Sequence, residues 1–443
     1  MSVAEIKIPK RIASTLINSL KGGVVPRTGL PYITVGRENE INAFLHDIEI
    51  ISEGGASFRF ISGKYGSGKS FLLQTVRNYA MDKNFVVADA DLSPERRLQG
   101  TRGQGLATYK ELIKNLSTKT RPDGGALPLI LERWISKLQS EAVQENGIAF
   151  DDPSVHTLTE KKIMQVISSL NEMVHGFDFA KLLTVYYRAY LDGDDEKKNA
   201  VIKWFRGEYQ TKSDAKAELG VNIVITDDDW YEYIKIFSAF FTRAGYGGFL
   251  VLIDELVNLY KIPNSITRQY NYEKILTMYN DTLQGKNSNL GIIMSGTPQC
   301  IKDTRRGIFS YEALRSRLEQ GRFSTNGIYD LLAPVIELQP LTYEEMLVLT
   351  EKLAAIHAVL FDYKCALTED DFISFIKIEY GRIGAGANIT PREVIRDFIE
   401  LLNILYQNAG ISVEKLMQSD GFSYSKNEVE QEEINPLFTE FEI

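Results

Sequence analysis

Hydrophobic residues occur along this chain in two spacings, and the alternation of these spacings predicts its architecture. Five short, largely apolar runs predict β-strands, and the third of them shows no alternation of apolar and polar positions. A run of that kind is typical of a strand that is buried on both faces of a parallel sheet. The five runs are residues 58–62, 85–88, 249–253, 290–294 and 335–338.

Apolar residues three and four positions apart predict helices before, between and after these strands. The first helix is predicted over residues 8–20, before the glycine pair at 22–23. Residues 108–246 predict a succession of helices, and residues 342–407 predict a second all-helical stretch. The breaks expected in the first stretch lie at residues 122–125, 193–195 and 225–228. Strands that alternate with helices indicate an α/β fold with a doubly wound parallel sheet.

Composition places the chain among soluble globular proteins of two to three structural units. It has 443 residues, of which 44% are hydrophobic and 25% are charged. No run approaches 18 apolar residues and the N-terminus lacks a signal-peptide apolar core, so we expect a cytoplasmic protein without membrane contact. Two cysteines, Cys300 and Cys365, are expected to be free thiols. The four histidines show no metal-ligand spacing.

The net charge of −9 is spread unevenly. Residues 411–443 contain eight acidic residues and two lysines, so this tail alone carries −6. Such a tail is either a solvated segment or a docking segment. Because the rest of the chain is only mildly acidic, overall charge does not exclude a nucleic-acid partner.

A glycine-rich segment between the first predicted strand and a predicted helix has the pattern of a phosphate-binding loop. Residues 63–70 read Gly-Lys-Tyr-Gly-Ser-Gly-Lys-Ser, the pattern G-x-x-x-x-G-K-[ST]. Its backbone N–H groups would surround the β- and γ-phosphates, Lys69 would neutralise phosphate charge, and the Ser70 hydroxyl would bind Mg²⁺. The alternative is an ordinary glycine-rich turn. The predicted nucleotide-binding residues are Gly63, Lys64, Tyr65, Gly66, Ser67, Gly68, Lys69, Ser70 and Phe71.

The third predicted strand ends in two acidic residues, Asp254 and Glu255. At the carboxyl end of a parallel strand, Asp254 would hold Mg²⁺ and Glu255 would position and deprotonate the attacking water. The alternative is that Asp254 only caps the next helix. The pair favours nucleotide hydrolysis over phosphoryl transfer to a small acceptor.

Four segments resemble the AAA+ class of P-loop ATPases, nearest its initiator and transposition-helper branch. They are Val35-Gly36-Arg37-Glu38, the loop at 63–70, the strand that ends in Asp254-Glu255, and the strand end Ser295-Gly296-Thr297. Three more resemble the BrxD type of the BREX-system (bacteriophage exclusion) ATP-binding protein family. They are residues 23–30 (Gly-Val-Val-Pro-Arg-x-Gly-Leu), 91–95 (Asp-Leu-Ser-Pro-Glu) and 245–249 (Gly-Tyr-Gly-Gly-Phe). The resemblance to this family covers most of the chain.

The resemblance implies an ATP- and Mg²⁺-binding fold with a five-stranded parallel sheet, a large helical insertion between the second and third strands, and a C-terminal helical lid. The implied division is 1–107 for the first part of the ATPase core, 108–246 for the insertion, 247–340 for the second part of the core, 341–410 for the lid and 411–443 for the acidic tail.

The resemblance also implies roles for residues outside the loop. Ser295 or Thr297 would sense the γ-phosphate, although both can equally cap the turn before Pro298. Arg317, with Arg315 as second choice in the arginine-rich stretch 305–322, would reach a neighbouring subunit's nucleotide; a solvated basic helix face is the alternative.

Two further roles fall near the ends of the chain. Arg392 would swing from the lid onto the nucleotide, or form an ion pair with Glu393 or Asp397. Val35 would line the adenine pocket.

The predicted function is therefore an oligomeric ATPase, associated with DNA, in a BREX-like antiphage defence system. Arg96, Arg97 and Arg102, which follow the second strand, are candidate phosphate-backbone contacts, and a solvated loop is the alternative. A defence-system helicase or nuclease is the expected protein partner. The alternative function is an ATP-dependent assembly switch or adaptor that recruits such an enzyme with slow or no turnover.

Overall fold

The computed structural model describes residues 6–170, 172–319, 329–382, 390–408 and 410–417. The chain divides into two compact units, one formed by Arg37–Gln339 and the other by Met1–Gly36 together with Pro340–Ile443. None of the helices in the described part of the chain combines the length and apolar character that crossing a bilayer requires.

Helices separate successive strands along the chain. It starts with α1 (Lys10–Lys21), α2 (Glu38–Ser52), β1 (Ala56–Ser62), α3 (Lys69–Asp82) and β2 (Val86–Asp91). Next come α4 (Gln104–Lys114), α5 (Leu127–Asn146), α6 (Ser154–Leu170), α7 (Gly176–Asp192), α8 (Asp195–Phe205), α9 (Lys212–Leu219) and α10 (Trp230–Arg243). They are followed by β3 (Phe249–Asp254), α11 (Val257–Tyr260), α12 (Ser265–Leu283), β4 (Leu290–Gly296), α13 (Pro298–Lys302), α14 (Glu312–Leu318) and β5 (Val335–Glu337). The last helices are α15 (Tyr343–Phe361), α16 (Glu369–Arg382), α17 (Pro391–Gln407) and α18 (Val413–Met417).

The five predicted strands form one sheet in the order β2-β3-β4-β1-β5, and every neighbouring pair is parallel. This confirms the predicted α/β architecture and fits a P-loop-type fold. In the register, Ser62 pairs with Gly296 and Asp91 pairs with Asp254. Because parallel strands end at the same edge, the glycine-rich loop after β1 and the acidic end of β3 lie at one edge of the sheet.

Both faces of the sheet are covered, as the apolar strands predict. One face packs on α2 and α3 through residues such as Ile61, Leu250 and Ile293. The other face, which includes Phe60 and Ile292, belongs to a buried cluster that continues into α4–α10. The helices between β2 and β3 therefore share a core with the sheet.

The predicted breaks at 122–125, 193–195 and 225–228 coincide with junctions between helices, and Asp195 is the first residue of α8. The turns between α5 and α6, between α6 and α7 and between α8 and α9 were not expected. The residues that lead into the first break are held by backbone pairing. Ser117 pairs antiparallel with Val87, and Thr118 pairs with Arg121 to close a tight turn. This segment covers the outer edge of β2, which would otherwise expose unpaired backbone groups.

A buried arginine ties that segment to the helix after the glycine-rich loop. Arg77 on α3 is 1% exposed. Its guanidinium donates to Ser117 Oγ at 2.8 Å, to Asp89 Oδ1 at 3.2 Å and to the carbonyl of Pro122. A charge so deeply buried is stabilising only when its hydrogen bonds are made, as they are here.

In the second unit, α1 packs on α15 and α17. Residues 1–36 were predicted to belong with the ATPase core, whereas the structure groups them with residues 340–443. The five-part division otherwise stays a prediction. Most of the acidic tail (418–443) and Arg322 lie outside the described residues.

Candidate functional site

The backbone of the glycine-rich loop has the conformation that its glycines permit. Gly66 and Gly68 have φ angles of 76° and 96°, a left-handed region that only glycine enters readily. The N–H of Ser67 donates to the carbonyl of Lys64 at 3.1 Å, and the N–H of Gly63 donates to Gly296 of β4 at 3.1 Å. Helix α3 then begins at Lys69. The loop thus leads from a strand into a helix N-terminus, where backbone N–H groups suit an anion.

Lys69 and Ser70 point to different partners. The Lys69 ammonium donates to the carbonyls of Gly63 and Lys64 at 2.9 and 3.0 Å. The Ser70 hydroxyl donates to Asp254 Oδ2 at 2.6 Å. The structure therefore brings together the predicted phosphate-binding lysine, the predicted magnesium-binding hydroxyl and the acidic end of β3.

Three donors hold the carboxylate of Asp254. Besides Ser70, the fully buried Ser295 donates its hydroxyl to Oδ1, and the backbone N–H of Glu255 donates to Oδ1 at 2.7 Å. Ser295 is thus at the site, but its partner is the aspartate. Thr297 is the N-cap residue of α13 without a side-chain capping bond, and its carbonyl accepts from the Cys300 thiol at 3.0 Å. γ-Phosphate sensing by either residue stays a prediction.

Glu255 has a strained backbone. Its φ is 63°, a left-handed conformation that residues other than glycine rarely adopt, and its side chain is exposed. Such conformations cost of the order of 1–3 kcal/mol and cluster at functional sites. Asp254 is half-buried and accepts the N–H of Glu255, whereas the Glu255 side chain is exposed, so the two acids at the end of β3 have different environments.

The residues present fit a magnesium nucleotide. Ser70 and Asp254 supply a hydroxyl and a carboxylate oxygen, the hard oxygen donors that Mg²⁺ prefers. The Ser67 hydroxyl in the loop is buried and has no hydrogen-bond partner. A Cβ on Gly63 would lie 2.5 Å from that same hydroxyl oxygen, so glycine is needed there. A buried hydroxyl without a partner, next to left-handed glycines, suits a phosphate oxygen.

Arg37 supports the loop, and sequence reasoning missed this contact. Its side chain is 5% exposed and donates to the carbonyls of Ser67 at 3.3 Å and Gln339 at 2.9 Å, and to Glu40 at 3.2 Å. The segment Val35-Gly36-Arg37-Glu38 was recognised only as a resemblance. Nothing in the local pattern indicates a partner three hundred residues away.

Cys300 fills the space beneath the end of β4. A Cβ on Gly296 would lie 2.4 Å from its sulfur. Burial raises the pKa of the Cys300 thiol to about 11, although the Lys69 ammonium and hydrogen bonds oppose that shift. The thiol therefore stays protonated and unreactive at neutral pH.

A comparison with known protein families shows which family this chain belongs to. The model of a family described as BREX system ATP-binding protein BrxC/D matches residues 8–421. The chain belongs to the BrxC/D family. Among curated proteins, none matches this chain. The match confirms the family that the sequence resembles, and with it an ATP-binding protein of a BREX defence system.

In this BrxC/D-family chain, Arg317 makes a hydrogen bond within its own helix. It is exposed on α14 and donates to the carbonyl of Ala313 at 2.6 Å. Burial raises the pKa of Tyr279, and the nearby guanidinium groups of Arg59 and Arg317 oppose the shift. The ring of Tyr279 packs on Phe58, four residues before the end of β1. A role of Arg317 at the nucleotide of a neighbouring subunit stays a prediction. Arg315 pairs with Glu312 at 3.0 Å.

Val35 and Arg392 belong to the other compact unit. Val35 is half-buried, and Arg392 lies in the first turn of α17. Of the two acids that the sequence offers as its ion-pair partners, Glu393 forms a capping box with Thr390 and Asp397 lies 3.2 Å from Arg396. The ion pair of Arg392 stays the alternative. The nucleotide contacts of Val35 and Arg392 stay predictions.

The arginines after β2 differ in environment. Arg96 donates to the carbonyl of Asp91 at 2.9 Å and lies 3.6 Å from Glu111, and Arg97 has a buried Nε. Arg102 is exposed. Within this loop, Arg102 is the arginine best placed to contact a partner.

Proposed function

We propose that this BrxC/D-family chain hydrolyses ATP in the presence of Mg²⁺ and works as an oligomer on DNA in antiphage defence. ATP binding and the BREX system follow from the family; hydrolysis, assembly and DNA contact are the proposal. Residues 108–246 would supply partner-specific contacts and residues 341–410 would act as a lid.

One observation carries the hydrolytic assignment. Asp254 is fixed by Ser70 and Ser295, while the adjacent Glu255 has a left-handed backbone and an exposed carboxylate. The two carboxylates therefore differ in burial, which suits them to different tasks. Two adjacent acids in separate environments support a division of labour between metal binding and water activation.

Each residue then has a defined task. The loop amides and Lys69 bind the phosphates, and Ser70 and Asp254 would hold Mg²⁺. Bound Mg²⁺ would supply positive charge opposite the phosphate oxygens. Glu255 orients the attacking water and accepts its proton at the carboxylate. Ser295 keeps Asp254 in place.

Assembly is supported by the position of Arg317. Arg317 is exposed, and its hydrogen bond to Ala313 is made within α14. An exposed arginine of this kind is available to stabilise charge at a nucleotide that a second copy holds. Mixing Arg317→Ala subunits with Lys69→Ala subunits should therefore restore part of the turnover that each lacks alone. No recovery at any mixing ratio or concentration would contradict a shared site.

The central test is Glu255→Gln. We expect ATP affinity within about threefold of wild type and steady-state turnover lower by at least about 100-fold, because only water activation is lost. Glu196→Gln on the exposed surface of α8 is the matched control. Unchanged turnover in Glu255→Gln would contradict the assignment. Wild-type protein that binds ATP and never turns it over would favour the assembly switch.

A further inference from the structure

A closed circuit of contacts surrounds the amino end of the edge strand β2, opposite the glycine-rich loop. Lys119 lies 3.0 Å from Asp82 at the end of α3, and Asn84 donates to the carbonyl of Gly245 at 2.9 Å. A Cβ on Gly245 would lie 2.7 Å from the Lys137 ammonium on α5. Arg133, one turn earlier on α5, donates to the Thr120 hydroxyl at 3.4 Å. Four separate segments therefore form one continuous surface.

This surface is rich in exposed cations, and we call it the edge basic patch. It consists of Lys83, Lys119, Arg121, Arg133, Lys137 and Arg243, all of which are exposed or partly exposed. Three acidic residues, Asp82, Asp123 and Glu141, lie among these six cations. Glu141 is shared between Lys137 at 3.8 Å and Lys162 at 3.9 Å. The patch is thus locally positive in a chain whose net charge is −9.

The patch is held on a rigid support. Ser117 exchanges two backbone hydrogen bonds with Val87, at 2.8 and 2.9 Å, and the 118–121 turn is closed at 3.0 and 3.1 Å. The buried Arg77 fixes the same segment from behind. Burial raises the pKa of Tyr246, and the charge and the hydrogen bond of the Arg133 guanidinium oppose that shift, in keeping with the position of Arg133 beside Thr120 at the patch.

The chemistry of the patch fits a polyanion better than a protein. Protein interfaces depend on aromatic and aliphatic anchors. Among the described residues, none of the large hydrophobic side chains that are exposed lies in segments 82–84, 118–123, 133–137 or 243–246. Exposed guanidinium and ammonium groups with a nearby hydroxyl, here Thr120, are the donors that bind phosphate oxygens without reading sequence.

We propose that the edge basic patch binds the phosphate backbone of double-stranded DNA. This proposal assigns a surface to the DNA association proposed above. Binding at this surface does not depend on ATP turnover. The patch lies at the opposite end of β2 from the loop that contains Arg102, so the six residues of this strand separate the two surfaces by about 20 Å. The patch, and not the Arg102 loop, is assigned as the main contact.

The test measures binding of a 30-base-pair DNA duplex at several salt concentrations, without nucleotide, in the wild type and in a Lys69→Ala background. The patch variant combines Lys119→Gln, Arg121→Gln and Arg133→Gln. A matched control combines Lys161→Gln, Lys212→Gln and Lys216→Gln, three exposed lysines on α6 and α9 that change net charge equally. We expect the patch variant to lose at least about tenfold in affinity at low salt. The slope of log K against log salt should fall by about 2 to 3, roughly 0.9 for each lost phosphate contact.

Single exchanges separate the two surfaces. Arg121→Gln should weaken DNA binding several-fold, and Arg102→Gln should leave it within about twofold. The proposal is overturned if wild-type protein does not bind the duplex at 50 mM salt or if the patch and control variants bind alike. It is also overturned if Arg102→Gln alone abolishes binding.

The acidic segment 411–443 is the competing occupant of the patch. If DNA binding begins only after residues 418–443 are removed, the patch is assigned to that segment instead of to DNA. Equal thermal midpoints for both triple variants show that folding is intact.

Discussion

The glycine-rich loop at residues 63–70 and helices α4–α10 belong to the same compact unit, but they are encoded in different ways. The loop depends on a few positions whose backbone angles and charges suffice to define its chemistry. The helices depend on many interchangeable apolar contacts, such as those of Phe179, Phe205 and Phe237, whose ring centroids lie 4.7 to 5.8 Å apart. A change in the loop should therefore remove binding without unfolding the protein, and a change in the helices should do the reverse.

The largest expected effect is on stability. Phe237→Ala removes a ring that is 1% exposed and should lower the free energy of unfolding by about 3–5 kcal/mol. All three tryptophans (Trp134, Trp204 and Trp230) lie in α4–α10, so urea unfolding followed by tryptophan fluorescence reports on that region.

Thiol labelling of Cys300 in a Cys365→Ser background reports on the sheet in the same experiment. Because one buried cluster joins the sheet to the helices, both signals should shift together in Phe237→Ala. A shift in fluorescence alone would mean that α4–α10 unfold as a separate domain. Phe177→Ala, at a 68% exposed position on α7, is the control and should change little.

The next effect is on binding. Lys69→Ala should raise the dissociation constant for magnesium–ATP by roughly 30- to 150-fold, since a charge-assisted contact to phosphate contributes about 2–3 kcal/mol. Calorimetric titration measures this, and the urea midpoint by fluorescence should stay at its wild-type value. Lys212→Ala is the control. Equal affinity in wild type and Lys69→Ala would contradict the proposed site.

A smaller effect distinguishes two roles of Ser295. If Ser295 positions Asp254, Ser295→Ala should raise the Mg²⁺ concentration needed for half-maximal nucleotide binding by about tenfold, for ADP and ATP alike. If it senses the γ-phosphate, only the ATP measurement should change. Ser213→Ala, at an exposed position on α9, is the matched control.

The smallest expected effect lies outside both regions, at His357 in the second unit. Its ring nitrogens contact the Tyr363 hydroxyl at 2.9 Å and Asn403 Oδ1 at 3.3 Å, and burial lowers the pKa of the imidazole. The unfolded chain then takes up the proton more readily than the folded chain. Stability is complete above pH about 6.5 and declines as pH falls toward the lower folded value.

His357→Gln should therefore make urea unfolding, followed by circular dichroism, less dependent on pH between 7 and 5. A pH dependence identical to wild type would show that other groups account for it. The tryptophan signal provides the internal reference, because none of the three tryptophans lies in the second unit.

The parts of the site that follow from the sequence are those whose signals are local. The loop, the strand that ends at Asp254, and four of the five strands to within two residues at their ends were predicted from neighbouring residues alone. β2 extends to Asp91, beyond the predicted end at 88, because its polar end pairs with β3.

The contacts that could not be predicted join residues far apart in the chain. Ser295 meets Asp254 across the β3–β4 pair, Arg77 reaches Ser117, and α1 packs on α15 and α17. Each depends on the register or the packing of completed elements. A buried arginine such as Arg77 looks in the sequence like any surface arginine of an amphipathic helix.

Arg37 has a consequence for how this molecule could respond to ligand. The backbone passes from one compact unit to the other at two places, just before Arg37 and just after Gln339, and the Arg37 guanidinium joins these two crossings while also touching the loop at Ser67. A shift of the Ser67 carbonyl would therefore reach Gln339 through a single guanidinium. Lysine at this position would keep the positive charge and lose the forked geometry, so it could not hold both carbonyls in the same way.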